Sequence, residues 1–240
     1  MYHSSEIMIP KIKYIIGVIF IFAISCSGKK TASTMISKDI PRIIVQLPQP
    51  EYKSQTSVEE ALLKRRSVRN YSKEPLELKK ISQLLWAAQG ITDKKEGGRT
   101  APSAGALYPL EVYVITGNVE SLIAGVYLYQ PDDHTLKLIT EGDKRKLLTA
   151  SALMQDAVQR SPAVLVFTAI YSRTTGKYLD RGRRYVHMEA GHAAQNVYLQ
   201  AVSLKLGVVV IGAFSDSLVK SILHLPKEEE PLYLMPVGKI

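Results

Sequence analysis

Apolar residues recur at helical and strand spacings from about residue 57 to the end of the chain. Val58 and Ala61 begin one helical stripe. Ser57, with Glu60 three residues later, has the capping-box arrangement that starts a helix. By contrast, the uninterrupted apolar run over 163–169 is typical of a strand at the centre of a sheet. Patterns of this kind predict helices over 57–65, 76–89, 144–157, 184–206 and 217–223, and strands over 112–116, 125–129, 136–139, 163–169, 208–211 and 232–237.

The connections between these strands indicate the type of sheet. Strands 125–129 and 136–139 are joined through Pro131-Asp132-Asp133, which predicts a hairpin of antiparallel strands. Elsewhere helices and strands interleave along the chain. The pattern therefore favours an α+β fold with a mixed or antiparallel sheet over a doubly wound parallel sheet. Residues 55–240 are enough for one such domain with its own core, and no internal repeat indicates a second.

The first 26 residues have the layout of an export signal. Lys11 and Lys13 form a short basic region, and 14–24 is an almost unbroken apolar run that is too short to span a bilayer. Residues 23–26, Ala-Ile-Ser-Cys, resemble a bacterial lipoprotein box, in which the cysteine is lipidated and becomes the new N-terminus. We therefore predict an exported lipoprotein, anchored to a membrane through Cys26 on its periplasmic or cell-surface side. A plain signal peptide and a short membrane anchor are the alternatives.

Cysteine usage agrees with this assignment. Cys26 is the only cysteine in the chain, so no intramolecular disulfide can form. The following residues, 27–54, are polar and contain three prolines, which predicts a flexible tether. Within that tether, 40–47 favours an extended strand.

The charge of the chain bears on its partners. The formal net charge is +9 at pH 7, and basic proteins often bind nucleic acid or anionic membrane surfaces. Lys and Arg are scattered along the chain rather than grouped in a stripe, and an exported protein rarely meets DNA. We therefore expect no nucleic-acid partner, and attribute the charge to solubility, attraction to anionic headgroups and a local phosphate site.

A small-residue loop over 100–109, with the sequence Thr-Ala-Pro-Ser-Ala-Gly-Ala-Leu-Tyr-Pro, is the first candidate for a ligand site. Its two prolines exclude a regular helix or a central strand. Small side chains let a flat ligand lie against the backbone, and Gly105 permits a turn that other residues resist. A strand follows directly at 110–115. An ordinary proline-bounded loop is the alternative interpretation.

An arginine segment over 65–69 is the second candidate. Arg65, Arg66 and Arg69 place three guanidinium groups beside the hydroxyl of Ser67. Guanidinium groups match phosphate geometry, and a hydroxyl adds a neutral donor. The alternative is a solvated basic helix end, and a phosphate site would need donors from a second element.

Several common functional motifs are missing from the sequence. His187 and His192 are five residues apart and do not share a helix face as a metal pair would. There is no His-Glu-x-x-His and no cysteine cluster, so we predict no metal site. There is also no G-x-G-x-x-G after a strand, no Walker phosphate loop and no G-x-S-x-G nucleophile elbow.

Three separated motifs together resemble a known family. From about residue 57 to the end, the chain is similar to the FMN-dependent nitroreductase superfamily, in particular to its SagB-type dehydrogenase branch. The similarity rests on Arg-Arg-Ser-Val-Arg at 65–69, Pro-Ser-Ala-Gly-Ala-Leu-Tyr-Pro at 102–109, the segment from Tyr185 through 189–201, and Pro-Val-Gly at 236–238. Typical nitroreductases carry an Asn and a Gln where this chain has Ala106 and Tyr108, and the form seen here is that of the SagB-type branch.

The resemblance implies an α+β fold and a homodimer that holds one FMN in each of two clefts between subunits. It implies that Arg65, Ser67 and Arg69 hold the phosphate and the ribityl or pyrimidine end, while residues 102–105 place backbone against the isoalloxazine ring. Ile211 and Gly212 would approach the ring, and Lys239 would add a basic group at the phosphate. The predicted cofactor-binding set is Arg65, Arg66, Ser67, Arg69, Pro102, Ser103, Ala104, Gly105, Leu107, Gln195, Ile211, Gly212 and Lys239.

A Lys-Tyr pair before the long helix handles substrate protons in the azoline-oxidising members of that branch. Lys177 and Tyr178 stand at about that place, so the resemblance makes them catalytic candidates. The alternative is that Lys177 and Tyr178 are two solvated loop residues without a catalytic role.

These features lead to one function hypothesis and two rivals. We predict an exported FMN-dependent oxidoreductase that transfers hydride between FMN and an unidentified organic substrate. NADH and NADPH are not expected outside the cytoplasmic membrane, so electrons would pass to a quinone or a soluble acceptor, or flow in the reverse direction from a membrane donor. The rivals are a non-catalytic lipoprotein that binds flavin or another small ligand, and a membrane-surface interaction protein.

Overall fold

The computed structural model describes residues 43–240. The signal peptide predicted over 1–26, the lipidation site predicted at Cys26 and most of the predicted tether lie outside the described residues. Between residues 43 and 240, no helix combines the length and the apolar character needed to cross a membrane.

The strands form one large sheet and one small hairpin. Numbered in chain order, they are β1 (Ile44–Gln46), β2 (Ile91–Asp93), β3 (Gly98–Arg99), β4 (Leu110–Thr116), β5 (Gly125–Gln130), β6 (Thr135–Glu141), β7 (Ala163–Ile170), β8 (Leu206–Val208) and β9 (Glu229–Lys239). Seven strands lie in the order β1-β6-β5-β4-β7-β9-β8, while β2 pairs with β3. Every neighbouring pair is antiparallel. The predicted α+β fold with an antiparallel sheet is confirmed.

The helices flank this sheet. They are α1 (Val58–Lys64), α2 (Leu78–Gln89), α3 (Arg145–Ser151), α4 (Asp156–Arg160), α5 (Ser172–Tyr178), α6 (Arg181–Ser203) and α7 (Asp216–Leu223). The single helix predicted over 144–157 is instead two, α3 and α4. Leu153 and Met154 between them have φ angles of 53° and 60°, which no helix accommodates. The long helix also ends earlier than predicted, because Leu206 already belongs to β8.

The core lies on both faces of the sheet. Side chains alternate along a strand, so Leu165 and Phe167 of β7 face α2 and α6, while Val164 and Val166 face α3, α4 and α7. All four are fully buried. The continuous apolar run predicted to be a central strand is central because both of its faces are covered by helices.

The chain before residue 55 belongs partly to this domain. Residues 44–46 pair with β6 as β1, Leu47 is 2% exposed, and the Ser82 hydroxyl donates to the Pro48 carbonyl. Of the extended strand predicted over 40–47, the described residues contain β1 at Ile44–Gln46. The structure therefore places residues 44–48 with the domain, and not in the flexible tether predicted to continue to residue 54.

The N-terminal cap of α1 yields a stability prediction. The Ser57 side-chain oxygen accepts a hydrogen bond from the Glu60 N–H at 3.1 Å, as its capping-box position predicted. We expect Ser57→Ala to lower the free energy of unfolding by about 1 kcal/mol, because it leaves a helix N–H without its cap. Urea denaturation would measure this. Ser57→Asp keeps a capping oxygen and should stay close to wild type, and equal losses in both variants would contradict the assignment.

Candidate functional site

Helix α6 carries two rows of side chains that organise the candidate site. Glu189 and Asn196 are seven residues, or about two turns, apart and share one row; His187 and Tyr198 are eleven residues, or about three turns, apart and share another. Glu189 and Tyr198 are separated by about two and a half turns, so the two rows point in nearly opposite directions. Since the face between them packs on the sheet, we name the two sides the Glu189 flank and the Tyr198 flank.

The arginine segment lies on the Tyr198 flank. The Ser67 hydroxyl is 3.1 Å from the Tyr198 hydroxyl, and the Arg65 guanidinium carbon is 5.1 Å from the centroid of the Tyr198 ring. The Val68 N–H donates to the Val208 carbonyl at 2.9 Å. These contacts hold the arginine segment beside the end of β8.

Ile211 and Gly212 lie on the same flank. The Tyr198 hydroxyl accepts a hydrogen bond from the Val210 N–H at 2.9 Å, next to the predicted pair. Ile211 is buried and exchanges two backbone hydrogen bonds with Leu234, at 2.8 and 2.9 Å, while Gly212 is exposed. The structure thus brings Ser67 and residues 210–212 together around a single tyrosine.

The three arginines have different surroundings. The Arg66 guanidinium donates to the carbonyls of Leu63 and Arg65, at 3.0 and 2.7 Å, so it folds back on the end of α1. Arg69 is exposed, and neither it nor Arg65 forms a salt bridge within residues 43–240. Arg65 and Arg69 are therefore the arginines with free charge.

Lys239 is held by acidic side chains. Its ammonium group lies 3.0 Å from a Glu77 oxygen and 3.4 Å from a Glu74 oxygen, and the hydrogen bond to Glu77 raises the pKa of this lysine. Its carbonyl accepts the Ser72 N–H at 2.9 Å, which places it beside the chain that continues from the arginine segment. The charge of Lys239 is already matched by two carboxylates.

The small-residue loop lies on the Glu189 flank. The Asn196 amide donates to the Thr100 carbonyl at 3.1 Å, and the Ser103 side-chain oxygen accepts the Tyr108 N–H at 2.9 Å. Residues 104–106 form one 3₁₀ turn. Gly105, Ala106 and Tyr108 have left-handed φ angles of 64°, 53° and 43°, Pro102 is exposed, and Ala104 and Leu107 are half-buried. The loop is a fixed, strained turn rather than an irregular connection.

Lys177 and Tyr178 belong to α5, which the sequence pattern did not predict, and they contact this loop. A Cβ atom added to Gly105 would lie 2.8 Å from the Tyr178 hydroxyl oxygen and 3.0 Å from Lys177 Nζ. The Tyr178 ring also meets Tyr185 edge-on, with 5.1 Å between centroids. The loop and the Lys-Tyr pair therefore form one cluster. A residue with a side chain at position 105 would collide with this pair.

Gln195 lies apart from both clusters. It is exposed and points outward from the sheet, in the row of α6 formed by Arg184, Met188, Gly191, Gln195, Leu199 and Val202. Small or apolar side chains make up most of this row, and Met188 is 51% exposed.

Two functional candidates escaped the sequence patterns. Tyr198 joins Ser67 to Val210, and the available signal was that a hydroxyl on a buried helix face needs a partner. The second candidate is Glu189, the only carboxylate in α6. It stands three residues after Val186 and four before Ala193, which are both fully buried. Spacing alone therefore indicated a buried acid.

The surroundings of Glu189 alter its ionisation. Glu189 is 2% exposed. Burial raises the pKa of its carboxyl to about 7, against the lowering effects of the Ser103 hydroxyl and the Arg99 guanidinium. Within the described residues its Oε1 atom has no hydrogen-bond partner. This buried acid contacts the small-residue loop at Ser103, and its pKa is raised towards neutral pH.

Comparison with known proteins assigns the fold to a family. The nitroreductase family model matches residues 62–239. A nitroreductase-family protein of Methanocaldococcus jannaschii is 48% identical over 195 residues, which cover 81% of this chain and 96% of that protein. The microcin B17-processing protein McbC of Escherichia coli is 31% identical over 174 residues, or 70% of this chain and 64% of McbC. A nitroreductase-family crystal structure from Ralstonia eutropha has a TM-score of 0.73 at 33% identity, covering 82% of this chain and 89% of that one. The chain belongs to the nitroreductase family.

Proposed function

We propose that this protein is an FMN-dependent oxidoreductase whose flavin sites lie between two copies of the chain. One observation carries the proposal: the arginine segment and the small-residue loop, both predicted to contact FMN, lie on opposite flanks of α6. In one copy the width of α6 separates the two, so a single cofactor would have to bend around the helix to contact both. Two copies related by a twofold axis can place the Tyr198 flank of one against the Glu189 flank of the other.

The Tyr198 flank fits the phosphate end of FMN. Arg65 and Arg69 offer two guanidinium groups without a carboxylate partner in the described chain, and Ser67 adds a hydroxyl that Tyr198 holds in place. Charge-assisted hydrogen bonds to a phosphate are the strongest that such groups form. Lys239 would support this end by position only, since Glu74 and Glu77 already neutralise it.

The Glu189 flank fits a flat ring. Pro102, Ala104 and Gly105 present little side chain, so a planar ligand can approach the backbone closely. When bound there, FMN would supply hydride chemistry, while the protein orients the ring and controls its surroundings. Lys177 and Tyr178, in contact with Gly105, would hold and move a proton at the amine and the phenol.

The outward row of α6 supports the homodimer. Met188 and Gly191 on one side of Gln195, and Leu199 on the other, give this row small or apolar surface, which suits close packing against a second helix. Leu62 and Leu63 of α1 are 55% and 73% exposed and add apolar surface. Packing of a second copy would remove these side chains from water.

The Lys-Tyr pair and the similarity to McbC support a proposal on the substrate class. We propose that this chain is of the SagB type and that an organic substrate, rather than a nicotinamide, faces the flavin. We also propose that the chain is exported and anchored through Cys26. The partner in electron transfer would then be a quinone or a soluble acceptor, with either direction of flow open.

Flavin content tests the cofactor assignment. The purified full-length chain is expected to absorb near 450 nm and to release FMN on heating, whereas Arg65→Ala/Arg69→Ala is expected to be colourless because the phosphate loses both free charges. Arg160→Ala is the matched control and should stay yellow, since that exposed guanidinium pairs with Asp156 within α4, away from the arginine segment. A colourless wild type that also fails to take up added FMN would refute the proposed function. A yellow protein that no donor can reduce would point to a binding role instead.

A further inference from the structure

Glu189 is a buried acid that the proposed function does not yet use. Its carboxyl is 2% exposed, and its Oε1 atom has no hydrogen-bond partner within residues 43–240. Burying a carboxylate with an oxygen that lacks a hydrogen-bond partner is costly, so such a group in a helix face tends to gain a proton or to serve a function. Neighbouring core positions Val186, Ala190 and Ala193 are apolar and fully or almost fully buried, which makes a carboxylate at this place the exception.

A short chain of contacts links Glu189 to the small-residue loop. The Ser103 side-chain oxygen already accepts the Tyr108 N–H at 2.9 Å. Its single proton is therefore available to the Glu189 carboxyl, whose pKa the Ser103 hydroxyl lowers. The Ser103 carbonyl also accepts the Ala106 N–H at 3.1 Å. Ser103 thus connects the buried acid to the strained turn that would face the flavin.

The charged and titratable groups around Glu189 come from several elements. Arg99, at the end of β3, lies close enough to lower the pKa of the carboxyl, and its guanidinium is 4.5 Å from the centroid of the Tyr108 ring. From α5, Lys177 and Tyr178 contact the loop at Gly105. The loop and the side chains that contact it therefore include two cations, two phenols and one acid with a raised pKa.

We propose that Glu189 is a positioning residue that anchors the small-residue loop through Ser103 and takes up a proton when FMN binds. The inference rests on the proposed function, because it requires FMN to lie against this loop. The step adds one proton from solvent to a carboxylate and gives a carboxylic acid, with no change in oxidation state. The site therefore loses one negative charge when the anionic cofactor binds.

The direction of the effect follows from electrostatics. A flavin laid on the loop excludes water from it and brings the net negative charge of FMN nearer, and both effects disfavour a carboxylate. The pKa of Glu189 is therefore higher in the complex than in the free protein. By linkage, FMN affinity is greatest below the free-state pKa, falls as the pH rises between the two pKa values, and is constant above the higher one.

Titration calorimetry counts these protons. FMN is added to the full-length apoprotein in two buffers of different ionisation enthalpy at pH 7.5, and dissociation constants are measured from pH 5.5 to 9. Wild type is expected to take up more protons than Glu189→Gln, by up to one per site. Between the free-state and bound-state pKa values of Glu189, a range that we call the pH window, the wild-type dissociation constant should rise by up to about tenfold per pH unit. Protonation of the FMN phosphate is common to both proteins and cancels in the comparison.

Two further variants make the result specific. Glu229→Gln removes another 2% exposed glutamate whose pKa is also raised by burial, but which lies beside Thr168 and Tyr113; it should behave like wild type. Ser103→Ala removes a hydroxyl that lowers the pKa of Glu189, and should move the window to higher pH.

Equal proton uptake in wild type and Glu189→Gln would overturn the inference while leaving FMN binding intact. An unchanged window in Ser103→Ala would also overturn it, and this test does not depend on Glu189→Gln folding well. If the wild type binds no FMN at any pH, the proposed function fails instead, so the two failures can be told apart.

Discussion

A dimer assembled from two differently damaged chains is expected to bind one FMN, although neither variant binds FMN as a homodimer. The first variant is Arg65→Ala/Arg69→Ala, which disables the Tyr198 flank. The second is Gly105→Val, which disables the Glu189 flank: the new side chain would collide with Tyr178 and Lys177, and a β-branched residue resists the φ of 64° at this position.

The expectation follows from the opposite flanks of α6. If each site uses the Tyr198 flank of one copy and the Glu189 flank of the other, the mixed dimer contains one site with both flanks intact and one with both damaged. Coexpression with two different affinity tags, followed by purification on both, isolates the mixed dimer. Released FMN should then reach half of the wild-type amount per chain.

The contrary result is equally definite. If each site were contained in one copy, the mixed dimer would hold no undamaged site and would be colourless. Wild type paired with each variant supplies the control, since either arrangement predicts half occupancy there. Recovery of flavin in the doubly damaged pair alone therefore distinguishes a shared site from a self-contained one.

Loss of the Lys177 amine is expected to slow turnover by about 10²- to 10⁴-fold without loss of FMN, the range usual for removal of a positioned acid or base. The ammonium lies at the same loop atom as the Tyr178 hydroxyl, so a proton donor or acceptor there would stand next to the ring. The measurement is the anaerobic reoxidation of chemically reduced protein by a nitroaromatic acceptor, followed in a stopped-flow instrument for wild type and Lys177→Ala.

Suitable controls separate chemistry from loop support. Lys95→Ala alters another exposed lysine, in the turn between β2 and β3, and should leave the rate unchanged. Tyr178→Phe keeps the aromatic contact with Tyr185 but removes the hydroxyl, so a similar loss would assign the proton to the pair. A wild-type rate in Lys177→Ala would limit this residue to packing against Gly105.

Much of the fold could be predicted because the strongest patterns depend on local contacts. The run over 163–169 specified a strand buried on both faces, and the Pro131-Asp132-Asp133 turn specified a hairpin. The capping box at Ser57 acted as predicted. Prediction failed over 144–157, where left-handed residues at 153 and 154 break a helix without a glycine or proline to signal it.

The site motifs were visible, but their arrangement was not. Nothing in the sequence around Arg65 or Gly105 says which side of α6 each will contact, because that depends on packing between distant segments. Helix α5 escaped for a related reason: with Gly176 inside it and an exposed surface, its seven residues lack an apolar stripe. Lys177 and Tyr178 therefore looked like loop residues, although the structure places both against Gly105.

If each site is shared between two copies of the chain, as proposed, its activity depends on how often chains meet. When chains are sparse, complete sites are scarcer than chains, because each site requires a pair to form by mass action. Confinement of the chain to a membrane surface, as proposed through Cys26, would raise its local density and favour pairing without any new contact. The anchor would then set the activity per molecule as well as its location, and detaching the chain from the surface would reduce that activity by dilution alone.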